Sequence, residues 1–154
     1  MKLKLLCGLL FAFVLGAGPV HAQRTPVSIV NYPNIPIVAT KPMQAEQVKK
    51  AIQDAALRKG WTFVNEAGDT NRMLATLVVR NKHTVMVEIA YSVDKYSITY
   101  RDSINMNYHS EAKFDSRMPN SRNAAAASGP VIHPAYNIWV QELKDAIRVE
   151  LTTG

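Results

Sequence analysis

The stretch Met73–Arg101, MLATLVVRNKHTVMVEIAYSVDKYSITYR, decides the fold. Met73, Ala75, Leu77 and Val79 alternate with polar or smaller residues, as do Val85, Val87, Ile89 and Tyr91, and then Tyr96, Ile98 and Tyr100. Three successive runs of period two, joined by short polar breaks, predict an antiparallel meander with one face buried. A two-residue loop at Val93-Asp94 pairs Tyr91 with Tyr96, Ile89 with Ile98 and Val87 with Tyr100, which keeps the apolar sets together. For the earlier hairpin a one-residue slip would send every side chain to the wrong face. A three-residue loop, Asn81-Lys82-His83, is therefore expected, pairing Val79 with Val85 and Leu77 with Val87, with Asn81 or Lys82 in the turn's special backbone angles. Ser97, Thr99 and Arg101 fall on the outer face, where Glu88 faces Thr99 and is expected to form a surface ion pair with the diagonal Arg101.

Outward from this core, Gln44–Lys59 reads as a helix with Val48, Ala51, Ile52, Ala55 and Ala56 on one side. Gly60, after Arg58-Lys59, is its stop, because glycine tolerates left-handed φ and cations suit a helix C-terminus. Trp61–Glu66 follows as a short strand. His133–Leu151 is the second helix, with Pro134 in its first turn and Tyr136, Trp139, Val140, Leu143, Ile147 and Leu151 as its apolar stripe. Residues 23–43, with Pro33 and Pro36, read as an extended segment suited to a sheet edge. The polar Ser103–Pro130 stretch predicts a mobile loop at about 104–130, open to cleavage near Arg117 and Arg122. The fold class is α+β: a two-layer sandwich in which two helices cover one face of an antiparallel meander sheet of about four strands, in a single domain over 44–154.

The N-terminus carries an address. Lys2 and Lys4 precede an apolar run from Leu5 to Ala17, and Gly18-Pro19-Val20-His21-Ala22 ends it with Val at −3 and Ala at −1 before Gln23. This is the pattern of a secretory signal peptide over 1–22, and it predicts a periplasmic or secreted chain beginning at Gln23. The run is short of the ~20 residues needed to cross a bilayer, so no transmembrane span is expected in the mature chain. Cys7 is the only cysteine; Lys4 at −3 and Leu6 at −1 do not make a lipobox, so no lipid anchor is expected. Removing 22 of the 154 residues leaves 132 without cysteine, and the loss of Lys2 and Lys4 takes the formal charge from +6 to +4. Disulfides are excluded, and packing alone must stabilise the mature domain. The remaining basic residues are scattered, which argues against nucleic-acid binding.

The chemistry-bearing residues are few. His83, His109 and His133 lack the close spacing of a zinc site, and no phosphate-binding or dinucleotide glycine motif is present, so neither metal nor cofactor is expected. Asp102, Ser103 and His133 are the residue types of a nucleophilic triad, but no Gly-x-Ser-x-Gly elbow surrounds the serine, so no catalytic residue is assigned. Trp61, Phe63, Tyr91, Tyr96, Tyr100, Tyr136 and Trp139 are expected to fill the helix–sheet interface, Tyr136 and Trp139 facing the sheet together. Tyr100, Asp102, Ser103, His133, Tyr136 and Asn137 are the candidate ligand or partner contacts.

The segments Arg58-Lys59-Gly60-Trp61, Tyr96-Ser97-Ile98-Thr99-Tyr100-Arg101-Asp102-Ser103 and Ile132-His133-Pro134-Ala135-Tyr136-Asn137-Ile138-Trp139-Val140 resemble a widespread group of small proteobacterial envelope proteins, many of them called lipoproteins of unknown function. The resemblance runs from about Gln44 to Leu151. It implies an envelope location and no substrate, and the missing lipobox sets this chain apart from lipidated members. The expectation is a non-enzymatic domain that binds or scaffolds an envelope protein, with a strand edge and the loop as contact surfaces. Its rivals are a small-molecule binder with a cleft near Tyr100 and Tyr136, and a hydrolase built on Asp102, Ser103 and His133.

Overall fold

The computed structural model describes residues 24–65, 68, 70–110 and 129–153. The expected signal peptide, its expected cleavage site and Cys7 lie outside the described residues, as do Arg117 and Arg122. The chain runs β1 (Val27–Ser28), β2 (Tyr32–Pro36), α1 (Ala45–Arg58), β3 (Thr62–Asn65), β4 (Arg72–Val79), β5 (His83–Tyr91), β6 (Lys95–Ile104), β7 (Val131–Ile132) and α2 (Ala135–Thr153). The architecture is α+β, with a five-stranded antiparallel sheet ordered β2-β6-β5-β4-β3 and a two-stranded sheet of β1 and β7. The fifth strand is the proline-bearing N-terminal segment, which takes an edge beside β6. An edge is where proline's missing N–H costs no ladder bond.

Alternation along β5 puts Val85, Val87, Ile89 and Tyr91 in the core with Met73, Ala75, Tyr96 and Ile98, against Val48, Ile52, Ala55, Val140, Leu143 and Ile147 of the helices. Among the described residues no helix is long and apolar enough to cross a membrane. Helix α1 starts with the Gln44 backbone N–H donating to Gln47 Oε1 at 2.7 Å. It ends with Gly60 at φ +77 and the Trp61 N–H donating to Ala56 O at 2.9 Å. That closure satisfies the last carbonyls and needs a residue without Cβ strain at the left-handed position. It also delivers Trp61 into the core, 1% exposed.

The β5–β6 hairpin has the expected register: Tyr91 pairs Tyr96, Ile89 pairs Ile98, Val87 pairs Tyr100 and Glu88 pairs Thr99. The β4–β5 register differs from the expected one by two residues. The three-residue loop is Arg80-Asn81-Lys82, so Val79 pairs His83, Leu77 pairs Val85 and Ala75 pairs Val87. The faces are unchanged, because a slip of two preserves them. Arg80 and Asn81 both take left-handed angles (φ 53 and 50), and the Lys82 N–H closes onto Val79 O at 3.1 Å. This turn keeps His83 in the strand.

Three further expectations are corrected. Glu88 pairs with Arg72 on β4 at 3.1 Å rather than with Arg101, which a β-bulge displaces. Trp139 is only half-buried on the rim of the core, while Tyr136 is fully buried, so the two do not face the sheet alike. The start of the expected loop is packed: β6 runs to Ile104, Met106 is 1% exposed, and His109 pairs with Val131.

Candidate functional site

Residues 100–103 set the geometry of the site. Strict alternation after Tyr100 would send Arg101 outward and Asp102 into the core, burying an unpaired carboxylate. The chain avoids this with the bulge: Val87 pairs Tyr100, but Met86 pairs Asp102 and Val85 pairs Ser103, leaving Arg101 as the extra residue. Asp102 is thereby kept on the outer face and Ser103 is brought to the same side as Tyr100. The Tyr100 hydroxyl and Ser103 Oγ lie 3.0 Å apart in a hydrogen bond. The backbone on the β2 side of this point is held by Asn31, whose Oδ1 accepts the Tyr100 N–H at 2.8 Å.

Two further tyrosines surround Tyr100. Tyr108 stacks on it, with ring centroids 4.9 Å apart and planes 12° from parallel. Tyr136, from the first turn of α2, meets it edge-on at 5.6 Å and 73°. The Tyr136 hydroxyl is buried without a hydrogen-bond partner among the described residues. Such a group ordinarily costs about 1–3 kcal/mol, and its persistence in a core is a feature to be explained. Burial pushes the Tyr136 hydroxyl well above the usual phenol range and raises Tyr100 as well, with Ser103 pulling Tyr100 partly back through its hydrogen bond. Both are neutral phenols at physiological pH.

Histidines close the other side. His133 caps α2: its Nδ1 accepts the Ala135 N–H at 3.1 Å and its carbonyl accepts the Tyr136 N–H at 3.0 Å, with Pro134 between them. A backbone N–H can only donate, so His133 Nδ1 is unprotonated and the neutral ring carries its hydrogen on Nε2. Burial, Arg24 and His83 all hold its pKa below the usual histidine value. His83 has the opposite tautomer: its Nδ1–H donates to Asn105 O at 2.8 Å. The two rings stack with centroids 6.4 Å apart. Asn105 also reaches back, its Nδ2 donating to Lys82 O at 2.7 Å. The β4–β5 turn, the segment after β6 and the start of α2 are thus tied together, the last by the His133 N–H donating to Met106 O at 2.8 Å.

Of the candidates from sequence, the structure brings Tyr100, Ser103 and Tyr136 together, with His133 at the adjacent helix cap. It separates the other two. Asp102 lies on the outer face and spends Oδ1 on the Ser103 backbone N–H at 2.7 Å. Asn137 is a structural clamp on the N-terminal segment, accepting the Val30 N–H at 3.0 Å and donating to Ser28 O at 2.9 Å. The Asp102–Ser103–His133 triad is therefore not assembled. A triad needs an Nδ1–H directed at the carboxylate and a bare Nε2 to take the serine proton. His133 has the reverse tautomer, and Ser103 is bonded to a phenol. Among the described residues no group of three or more His, Cys, Asp or Glu is placed to hold a metal ion.

Sequence reasoning missed Tyr108, Met106 and Asn31. The available signal was Asn105-Met106-Asn107-Tyr108: Asn105 and Asn107 take left-handed angles (φ 58 and 47), which asparagine tolerates better than most residues. Two such residues around an apolar one bend the chain back over the sheet end and leave the next side chain, Tyr108, on top of Tyr100.

Two grooves, of about 350 and 260 Å³, lie instead at the far end of α2, around Arg148 and Thr152. Neither lining includes an imidazole, and the hydroxyls that line them, Thr152, Thr153 and Tyr96, donate to carbonyls of α2. No family model matches the chain, and neither a curated protein nor a solved structure does.

Proposed function

We propose that the chain is exported to the periplasm and acts there as a non-enzymatic binding domain of the cell envelope, recognising its target by aromatic stacking and hydroxyl hydrogen bonds. The observation that carries this is the Tyr100–Ser103 pair beneath Tyr108. Rings and neutral hydroxyls recognise; without an oriented base or an activated nucleophile they do not turn substrate over. Export rests on the charged, apolar and small-residue pattern of residues 1–22.

A fluorophosphonate probe tests the non-enzymatic part. Ser103 should remain unlabelled in the exported protein, and labelling lost on Ser103→Ala would overturn the proposal. Export is tested by the intact mass of the periplasmic protein, expected for an unlipidated chain beginning at Gln23.

A scaffolding role through a sheet edge is the second reading, and the two edges favour it unequally. Edge β2 carries Pro33, Pro36 and a register irregularity. Edge β3, Thr62-Phe63-Val64-Asn65, has no charge and no proline, and Val64 is 61% exposed. Unguarded edges of this kind pair with other strands. A photo-crosslinker at Val64 should then give a discrete adduct in the periplasm that the same group at Lys50 does not.

A further inference from the structure

We propose that Tyr100 is the floor of a subsite for a planar, uncharged ring bearing a carbonyl oxygen, and that Tyr108 fills that subsite in the unliganded chain. The proposal rests on the binding reading above and adds the ligand class. Tyr108 covers Tyr100 as a bound ring would, parallel at 4.9 Å, yet it is 40% exposed. The backbone on either side of it is anchored. Met106 is buried and its carbonyl accepts the His133 N–H at 2.8 Å, while His109 exchanges two 2.9 Å hydrogen bonds with Val131. Tyr108 can therefore leave by rotation about its own side-chain bonds, with the loop staying in place.

Hydrogen counting supplies the carbonyl. The Tyr100 and Ser103 hydroxyls hold two hydrogens, one of which lies in their shared bond. Among the described residues the other has no acceptor, and an incoming ring with an acceptor oxygen would take it. The requirement for zero charge follows from the lining. The groups that line Tyr100 are phenols and a hydroxyl: a desolvated carboxylate there would meet only the like charge of Asp102 nearby, and an ammonium would find in Asp102 a carboxylate that faces outward and already accepts the Ser103 N–H. The neutral Nε2–H tautomer of His133 adds no counter-charge.

The test uses the mature chain, uracil as the probe, and ring-¹³C tyrosine resonances as the readout. Uracil should shift the Tyr100 and Tyr108 signals of the wild type. Tyr108→Ala should bind it about fivefold more tightly, the factor expected when a competing aromatic stack is removed. Tyr108→Leu keeps apolar cover without a flat ring and should also bind more tightly, so it supplies the reading if the alanine variant does not fold. Ser103→Ala should weaken binding in every background. No shift at Tyr100, or binding by both Tyr108 variants no tighter than wild type, overturns the proposal. Such a result with Ser103 unlabelled by the fluorophosphonate discards only the ligand class, whereas labelling discards the binding reading itself.

Discussion

The two ends of the β5–β6 hairpin are built from the same residue type and differ in how they satisfy it. At the turn end Tyr91 and Tyr96 face each other in regular register, and both hydroxyls have backbone partners. Tyr91 donates to Thr70 O at 2.8 Å and Tyr96 to Lys144 O at 3.3 Å. At the other end a bulge interrupts the ladder, and among the described residues the Tyr100 hydroxyl bonds to a serine hydroxyl alone and the Tyr136 hydroxyl has no partner. The first end is a finished core. The second retains unspent donors beside a ring that can move, a combination that suits recognition better than stability.

The largest effect should come from the middle of the hairpin, on which both ends depend. Val87 is fully buried between Ala75 and Tyr100. Val87→Asp buries an unpaired carboxylate and should leave no folded protein. Thr99→Asp, on the outer face, should change the melting temperature little. Equal damage from both, read by thermal denaturation, would mean the face assignment is wrong.

The second comparison sets one tyrosine from each end against the other. Tyr91→Phe removes a satisfied hydrogen bond and should cost about 1 kcal/mol. Tyr136→Phe removes a hydroxyl that has no partner and should be neutral or stabilising. Denaturant midpoints of the two variants measure this directly. A Tyr136→Phe loss as large as that of Tyr91→Phe would show that the Tyr136 hydroxyl is satisfied after all, and the contrast between the ends would disappear.

The smallest effect is a pH dependence at the open end. The folded-state pKa of His133 is held below its ordinary value of 6.5 by burial, Arg24 and His83. The unfolded chain therefore takes up a proton first as pH falls, and stability is lost below about pH 6.5. Protonation would also put a hydrogen on Nδ1 and break the cap on the Ala135 N–H. His133→Asn, which caps without titrating, should flatten the melting temperature between pH 7 and pH 5. A wild type already flat over that interval would contradict the neutral cap.

Most of the sheet was legible in the sequence because period-two patterning in β4, β5 and β6 is strong and both faces are distinct. The Val93-Asp94 turn followed from matching apolar sets. The slip by two in β4–β5 was not legible, because a shift of two keeps every residue on its face and only the left-handed Arg80 and Asn81 decide between the alternatives. Trp139 was overestimated because the apolar stripe of α2 is wide: Tyr136 and Val140 on either side of it are fully buried, while Trp139 lies at the flank of the stripe and is only half-buried. The candidate site was half legible. Tyr100, Ser103 and Tyr136 were singled out, but strict alternation cannot foresee a bulge, although Arg101-Asp102 following a core tyrosine is the charge pattern that demands one. Tyr108 and Asn31 act through chain reversals whose contacts are not encoded by any periodicity.

Titration of the Tyr100 ring by ¹³C NMR tests the central claim most directly, since the claim is that the bulge brings Ser103 against Tyr100 and turns Asp102 away. Tyr100 should titrate above the ordinary phenol value of 10.0, raised by burial and by the nearby Asp102 charge and lowered by the Ser103 hydrogen bond. Ser103→Ala should therefore move its midpoint further up, because the phenolate loses a donor, and Asp102→Asn should move it down. A Tyr100 midpoint that Ser103→Ala leaves unchanged would mean that the two hydroxyls do not meet, and with that the bulged register and the recognition site built on it would both fall.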